Sequence, residues 1–151
     1  MAKFTFRLQN ILSVKEKLEN QAKAEYGVEM AKLREEQKKK MQMEQKSLQM
    51  QEELTDLLNA TLDILQIRKM EWGIEMLKED IALQEQVIKR QEQQVKKARK
   101  KLDQAMQERK TYEKLKEKAF EAFKLELNAA EQKEVDELVS FTHSNTAESE
   151  D

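Results

Sequence analysis

The stretch IRKMEWGIEMLKEDIALQEQVIKRQEQQVKKARKKLDQA, residues 67–105, carries Ile67, Ile74, Ile81, Ile88, Val95 and Leu102 at intervals of seven. Met70, Leu77, Ala98 and Ala105 occupy the companion register, which Tyr112 and Ala119 continue. Two apolar positions per heptad make a narrow seam on one face of a helix, and such a seam is buried by a second helix in a coiled coil. Gln84 and Gln91 in one register, and Arg109 and Lys116 in the other, interrupt the seam with polar layers that weaken it and help to fix its pairing.

The residues upstream supply the second helix in a less regular pattern. Phe4, Ile11 and Leu18 keep a heptad, whereas Ala22, Tyr26, Met30 and Leu33 follow the spacing of an eleven-residue repeat, and a mixture of the two flattens a supercoil. Met41, Leu48, Leu54 and Leu58 continue an apolar stripe, with Met43 and Met50 lying off it. Between the halves, Asn59-Ala60-Thr61-Leu62-Asp63 gathers capping residues, and Asp63 with Gln66 resembles a capping box opening a helix. The expected architecture is therefore all-α, an antiparallel two-helix coiled-coil hairpin: a first helix over 1–57, a turn over 58–63 and a longer helix over 64–141. With no Gly or Pro at the turn, one continuous helix that dimerises in parallel is the alternative. Gly73 is a second candidate for a weak point, although a single helical Gly costs only about 1 kcal/mol. Residues 142–151 lose all apolar periodicity and are expected to be disordered.

Composition agrees with a seam and not with a thick core. Of 151 residues, 38% are charged and 38% hydrophobic, with no Pro, two Gly and 5% aromatics. The absence of Pro removes the commonest reason for a helix to stop. The absence of Cys excludes disulfides, thiolate metal sites and cysteine nucleophiles. A net charge of −2 argues against a dedicated nucleic-acid binder, and nowhere do roughly 18 apolar residues run together. A cytoplasmic protein is the simplest expectation. No Gly-rich phosphate loop, second His or Cys is present, so neither catalysis, a cofactor nor a metal site is expected; the lone His143 has no set of neighbouring ligands.

The charge is unevenly spread. Residues 89–118 hold twelve bases against five acids, and residues 121–151 hold nine acids against two lysines. The basic run Lys-Lys-Ala-Arg-Lys-Lys has no interleaved aromatic residue on which bases could stack, so it reads as a solvated coiled-coil face, with contact to phosphate or an anionic membrane as the alternative. The acidic end suits a basic-rimmed protein socket. Folding back near residue 61 pairs Phe4 with a position near 118, which leaves 119–141 as a lone helix of about 35 Å. That segment nonetheless carries Phe120, Phe123, Leu127, Val135, Leu138 and Phe141, more apolar surface than an isolated helix should leave in water. Trp72, the only Trp, lies off the seam register near the turn, where it serves either as a partner anchor or as local packing.

Phe4-Thr-Phe6-Arg7-Leu8-Gln-Asn-Ile11-Leu12, followed by Lys15-Glu16-Lys17-Leu18-Glu19, resembles the opening of the FliJ family of the bacterial flagellum, and Glu131-Gln-Lys133-Glu-Val-Asp136-Glu137-Leu138 resembles its closing motif. The resemblance implies a fold similar to the coiled-coil stalk, the gamma subunit, of rotary ATP synthases. It further implies a soluble, non-enzymatic component of flagellar type III export that sits in the central hole of the hexameric export ATPase FliI and promotes its assembly and activity. The export gate protein FlhA and the chaperones of export substrates are the other implied partners, which would hold the protein at the cytoplasmic face of the membrane. Carried onto this chain, the resemblance puts Phe4, Phe6, Leu8, Lys133, Asp136 and Glu137 at the ATPase-facing end, and the apolar Phe120, Phe123, Leu127 and Leu138 of the lone helix complete the ATPase-binding set. The gate-binding set comprises Met43, Met50, Trp72 and Leu77. An ATPase-independent coiled-coil tether or holdase chaperone is the alternative function.

Overall fold

A computed structural model of the chain describes residues 2–60 and 63–149. Two long helices pack against each other as a coiled-coil hairpin: α1, Gln9–Ala60, of 52 residues, and α2, Ile64–Glu148, of 85. No strand occurs among the described residues. Helix α1 starts later than the expected first residue, because residues 2–6 are irregular and Arg7-Leu8 form a turn in which the Gln9 N–H donates to the Phe6 carbonyl at 3.1 Å. It also runs beyond residue 57, to Ala60. Thr61 and Leu62 of the expected turn lie outside the described residues. Asp63 caps α2 as its residue type suggests: its Oδ1 accepts from the Leu65 N–H at 3.2 Å and its carbonyl from the Ile67 N–H at 3.1 Å. The tail expected to be disordered is helical as far as Glu148; no Gly or Pro interrupts it, and Thr142, Ser144 and Thr146 donate their hydroxyls to preceding carbonyls.

The chain divides into two compact units, Met1–Glu19 with Ala105–Asp151 and Asn20–Gln104. In the unit Asn20–Gln104, α2 buries Ile74, Gln84, Ile88, Ala98 and Leu102, with Ile67, Met70, Leu77, Ile81, Gln91 and Val95 half-buried between them. These are the seam positions that the heptads define. The α1 side is different from its apolar pattern. Its inward positions are Ala22, Glu29, Glu36, Met43, Met50 and Leu57 in one register and Tyr26, Leu33, Lys40, Ser47 and Leu54 in the other, with Met30 half-buried between them. Ala22, Tyr26, Met30 and Leu33 thus all lie inward at their expected 4-4-3 spacing, the heptad continues unbroken beyond them, and Met41 (59%), Leu48 (62%) and Leu58 (49%) of the expected stripe face solvent.

The reason lies in the polar layers. Gln84 Nε2 donates to the Glu36 backbone carbonyl at 2.9 Å and to Glu36 Oε2 at 2.6 Å. One heptad away, Gln91 Nε2 makes the same pair of bonds to Glu29, at 3.0 and 2.6 Å. Each Gln amide therefore satisfies a carboxylate and a backbone oxygen at a seam position, which lets Glu29 and Glu36 sit where an apolar residue is the usual choice. Lys40 Nζ meets Glu44 at 3.7 Å and, across the seam, Glu85 at 3.3 Å, and the Arg99 guanidinium lies 5.7 Å from the Tyr26 ring centre. Gly73 is a packing position: a Cβ there would stand 2.9 Å from the Met50 Cε.

In the unit Met1–Glu19 with Ala105–Asp151, Leu12 is the most deeply buried residue at 2% exposure, with Phe6 at 9%. Ile11 and Leu18, the expected seam residues, are exposed, and the inward positions lie one residue on, at Leu12 and Glu19. Charge replaces oil along much of this seam. Arg109 binds Glu19 and, at 2.7 Å, Glu113; Lys15 Nζ meets Glu108 at 3.0 Å; Lys116 Nζ donates to Gln9 Oε1 at 2.8 Å. The Glu113 and Glu19 carboxylates raise the Arg109 pKa further above its ordinary value.

Candidate functional site

Residues 2–6 decide where the bare part of α2 begins. Irregular chain advances about 3.3 Å per residue against about 1.5 Å in a helix, so five residues before α1 reach past several turns of α2. The Phe4 ring lies 5.1 Å from that of Phe120, edge on, and 5.5 Å from that of Phe123. The expectation that 119–141 lacks an intrachain partner is therefore corrected: Phe4 packs on Phe120 and Phe123 in its first two turns, and Leu127 is half-buried. Every described residue from Asn128 onward is exposed.

The ten residues assigned to ATPase contact fall into two groups. Phe4, Phe6, Leu8 and Phe123 line one groove together with Leu115, Ala119, Ala122 and Glu126. Phe120 flanks them, 39% exposed, with the Lys124 ammonium 4.8 Å from its ring centre. Lys133, Asp136, Glu137 and Leu138 belong to the bare helix, where Gln132 Nε2 donates to Asp136 Oδ1 at 3.2 Å. Val135, Leu138 and Val139 are 51%, 65% and 62% exposed, and with Thr142 they follow the i, i+3, i+4, i+7 spacing of a single helical face. Val139 belongs with this group although its family motif ends at Leu138; the spacing alone could have found it.

The gate-binding set does not form one surface. Trp72 is 68% exposed, but Met43, Met50 and Leu77 are half-buried in the seam, because the unbroken heptad of α1 turns both methionines inward. The exposed companions of Trp72 are Leu65 (73%), Met76 (41%), Leu83 (61%) and Val87 (38%). Their steps of seven, four, seven and four keep all five within a sector of about 60° at 100° per residue, a mainly apolar line along α2 that the exposed Lys69 and Glu79 interrupt. This period is weaker than the heptad of the seam, which dominates the same stretch of sequence.

Among the described residues no group of three or more His, Cys, Asp or Glu could hold a metal ion, and no helix is long and apolar enough to cross a membrane.

A solved structure described as a YscO homologue of Chlamydia trachomatis superposes with a TM-score of 0.60 at 24% identity, covering 94% of this chain and 96% of that one, a likeness of fold. No curated protein matches this chain at a significant level. The family described as flagellar FliJ protein matches residues 4–148, nearly the whole hairpin and its bare helix. The chain belongs to the FliJ family, and so to the components of the type III export apparatus.

Proposed function

We propose that this protein is a non-enzymatic stalk of flagellar export, whose bare helix and adjoining aromatic groove enter the central hole of the hexameric ATPase FliI and promote its assembly and turnover. The observation that carries this reading is the helix from Asn128 to Glu148, about 30 Å long, with exposed Val135, Leu138 and Val139 among acidic residues and no packing partner among the described residues. Apolar side chains held out on a preformed helix lose little conformational freedom when a socket closes on them, so their burial goes largely into affinity. Trp72 with Met76 and Leu83 forms the face offered to the gate protein FlhA, in place of the inward Met43, Met50 and Leu77. Chaperones of export substrates are further partners, and association with the cytoplasmic face of the membrane is peripheral, through the gate.

The test is ATP turnover of FliI with the parent protein and with Leu138→Ala plus Val139→Ala. Both side chains are already in water, so helicity and melting should hold while stimulation falls by about tenfold, the loss of two partly buried aliphatic contacts. Undiminished stimulation by the folded double variant removes the bare helix from the ATPase contact.

A further inference from the structure

The apolar line on the outside of α2 does not end in neutral surface. Past Val87 the same spacing continues as Arg90, Gln94, Lys97 and Lys101, all exposed, within a segment 89–101 that holds seven bases against one acid, although Lys101 also meets Glu25 of α1 at 3.9 Å. A face that is apolar along one half and basic along the other fits a helix that is itself apolar and acidic. The bare helix has that composition: Val135, Leu138 and Val139 on one face, and five acids against one base over 128–148. Two bare helices would meet acid against acid, which disfavours their pairing with each other.

We infer that the apolar and basic outer face of α2 docks the acidic C-terminal helix of a second copy of this chain, so that the free protein forms a salt-sensitive homodimer. The net charge of −2 puts little overall repulsion between copies, and the attraction is local, between the 89–101 bases and acids such as Glu131 and Asp136. Hydrophobic contact of Trp72, Met76 and Leu83 adds apolar area that is otherwise left in water. This goes beyond the proposed export role and does not depend on it; the dimer would cover both surfaces until export partners displace the second copy.

Sedimentation of the full chain, without ATPase or gate protein, tests this separately from the export reading. The expected result is a dimer at about 20 mM salt that dissociates toward monomer at about 500 mM, as screening shortens the reach of the charges. Arg90→Glu with Lys97→Glu should weaken the dimer by about tenfold or more, as should Glu131→Lys with Asp136→Lys, and all four changes in one chain should restore it. Far-UV circular dichroism of each variant establishes that the helices are intact. A monomer at about 100 µM in low salt overturns the inference and leaves this face to a different acidic partner. A dimer indifferent to either reversal, or one that the fourfold exchange fails to restore, overturns it equally.

Discussion

Replacing Phe4 by Ala should release the part of α2 that the N-terminal segment covers while leaving the rest of the hairpin folded. Phe4 is half-buried, so its transfer from water supplies about half of the 1.5–3 kcal/mol of a fully buried aromatic residue, about 1 kcal/mol. Its two ring contacts, at 5.1 and 5.5 Å, each add about 0.5–1.5 kcal/mol. Part of that sum offsets the ordering of residues 2–6, which have no helical bonds of their own, so a net loss of about 2 kcal/mol is expected. At about 1.4 kcal/mol per tenfold, this raises the local opening constant about 30-fold. Hydrogen exchange read by mass spectrometry on peptides covering 115–127 should show that loss of protection. Amides of residues 74–102, whose packing does not involve Phe4, serve as the internal reference. Unchanged protection across 115–127 would refute the reasoning and mean that Phe120 and Phe123 are held by the helix alone.

Ile88→Ala should cost about 2–5 kcal/mol and lower the melting temperature measurably, because Ile88 is buried in a seam too narrow to collapse around the cavity. Gly73→Ala should be neutral or stabilise by up to about 1 kcal/mol in urea unfolding, since helix propensity favours Ala and the crowded atom, Met50 Cε, ends a flexible side chain. The Gln84 amide, donating to Glu36, holds that carboxyl below 4.5 against a smaller opposing effect of burial, with Lys39 assisting. A depressed folded-state pKa contributes stability that is present above the unfolded value and lost as pH falls through the folded one. Thermal melts should therefore show the parent hairpin weakening below pH 4.5, and Gln84→Ala should flatten that dependence. Trp72 should emit at long wavelength in dilute, high-salt solution and shift blue when the cytoplasmic domain of the gate protein is added; Trp72→Ala should weaken that complex while changing stability by less than about 0.5 kcal/mol.

The seam of α2 was legible in the sequence because Ile67, Ile74, Ile81, Ile88, Val95 and Leu102 declare it one heptad at a time, and burial follows from period alone. The cap at Asp63 was legible for a similarly local reason, a carboxylate within reach of the next backbone N–H groups. The seam of α1 was not, since several of its inward positions are polar and it is Gln84 and Gln91, more than forty residues away, that satisfy Glu36 and Glu29 across the seam. Apolar residues such as Met41 and Leu48 then look inward by composition yet stand in water. The acidic, apolar C-terminal helix was visible as a surface in need of cover, but where it begins depended on Phe4 reaching Phe120 and Phe123 along an irregular segment. Periodicity and capping are properties of neighbours along a chain and can be read there. Which polar groups satisfy one another across a seam, and how far a non-helical end extends, are settled only when the two helices meet.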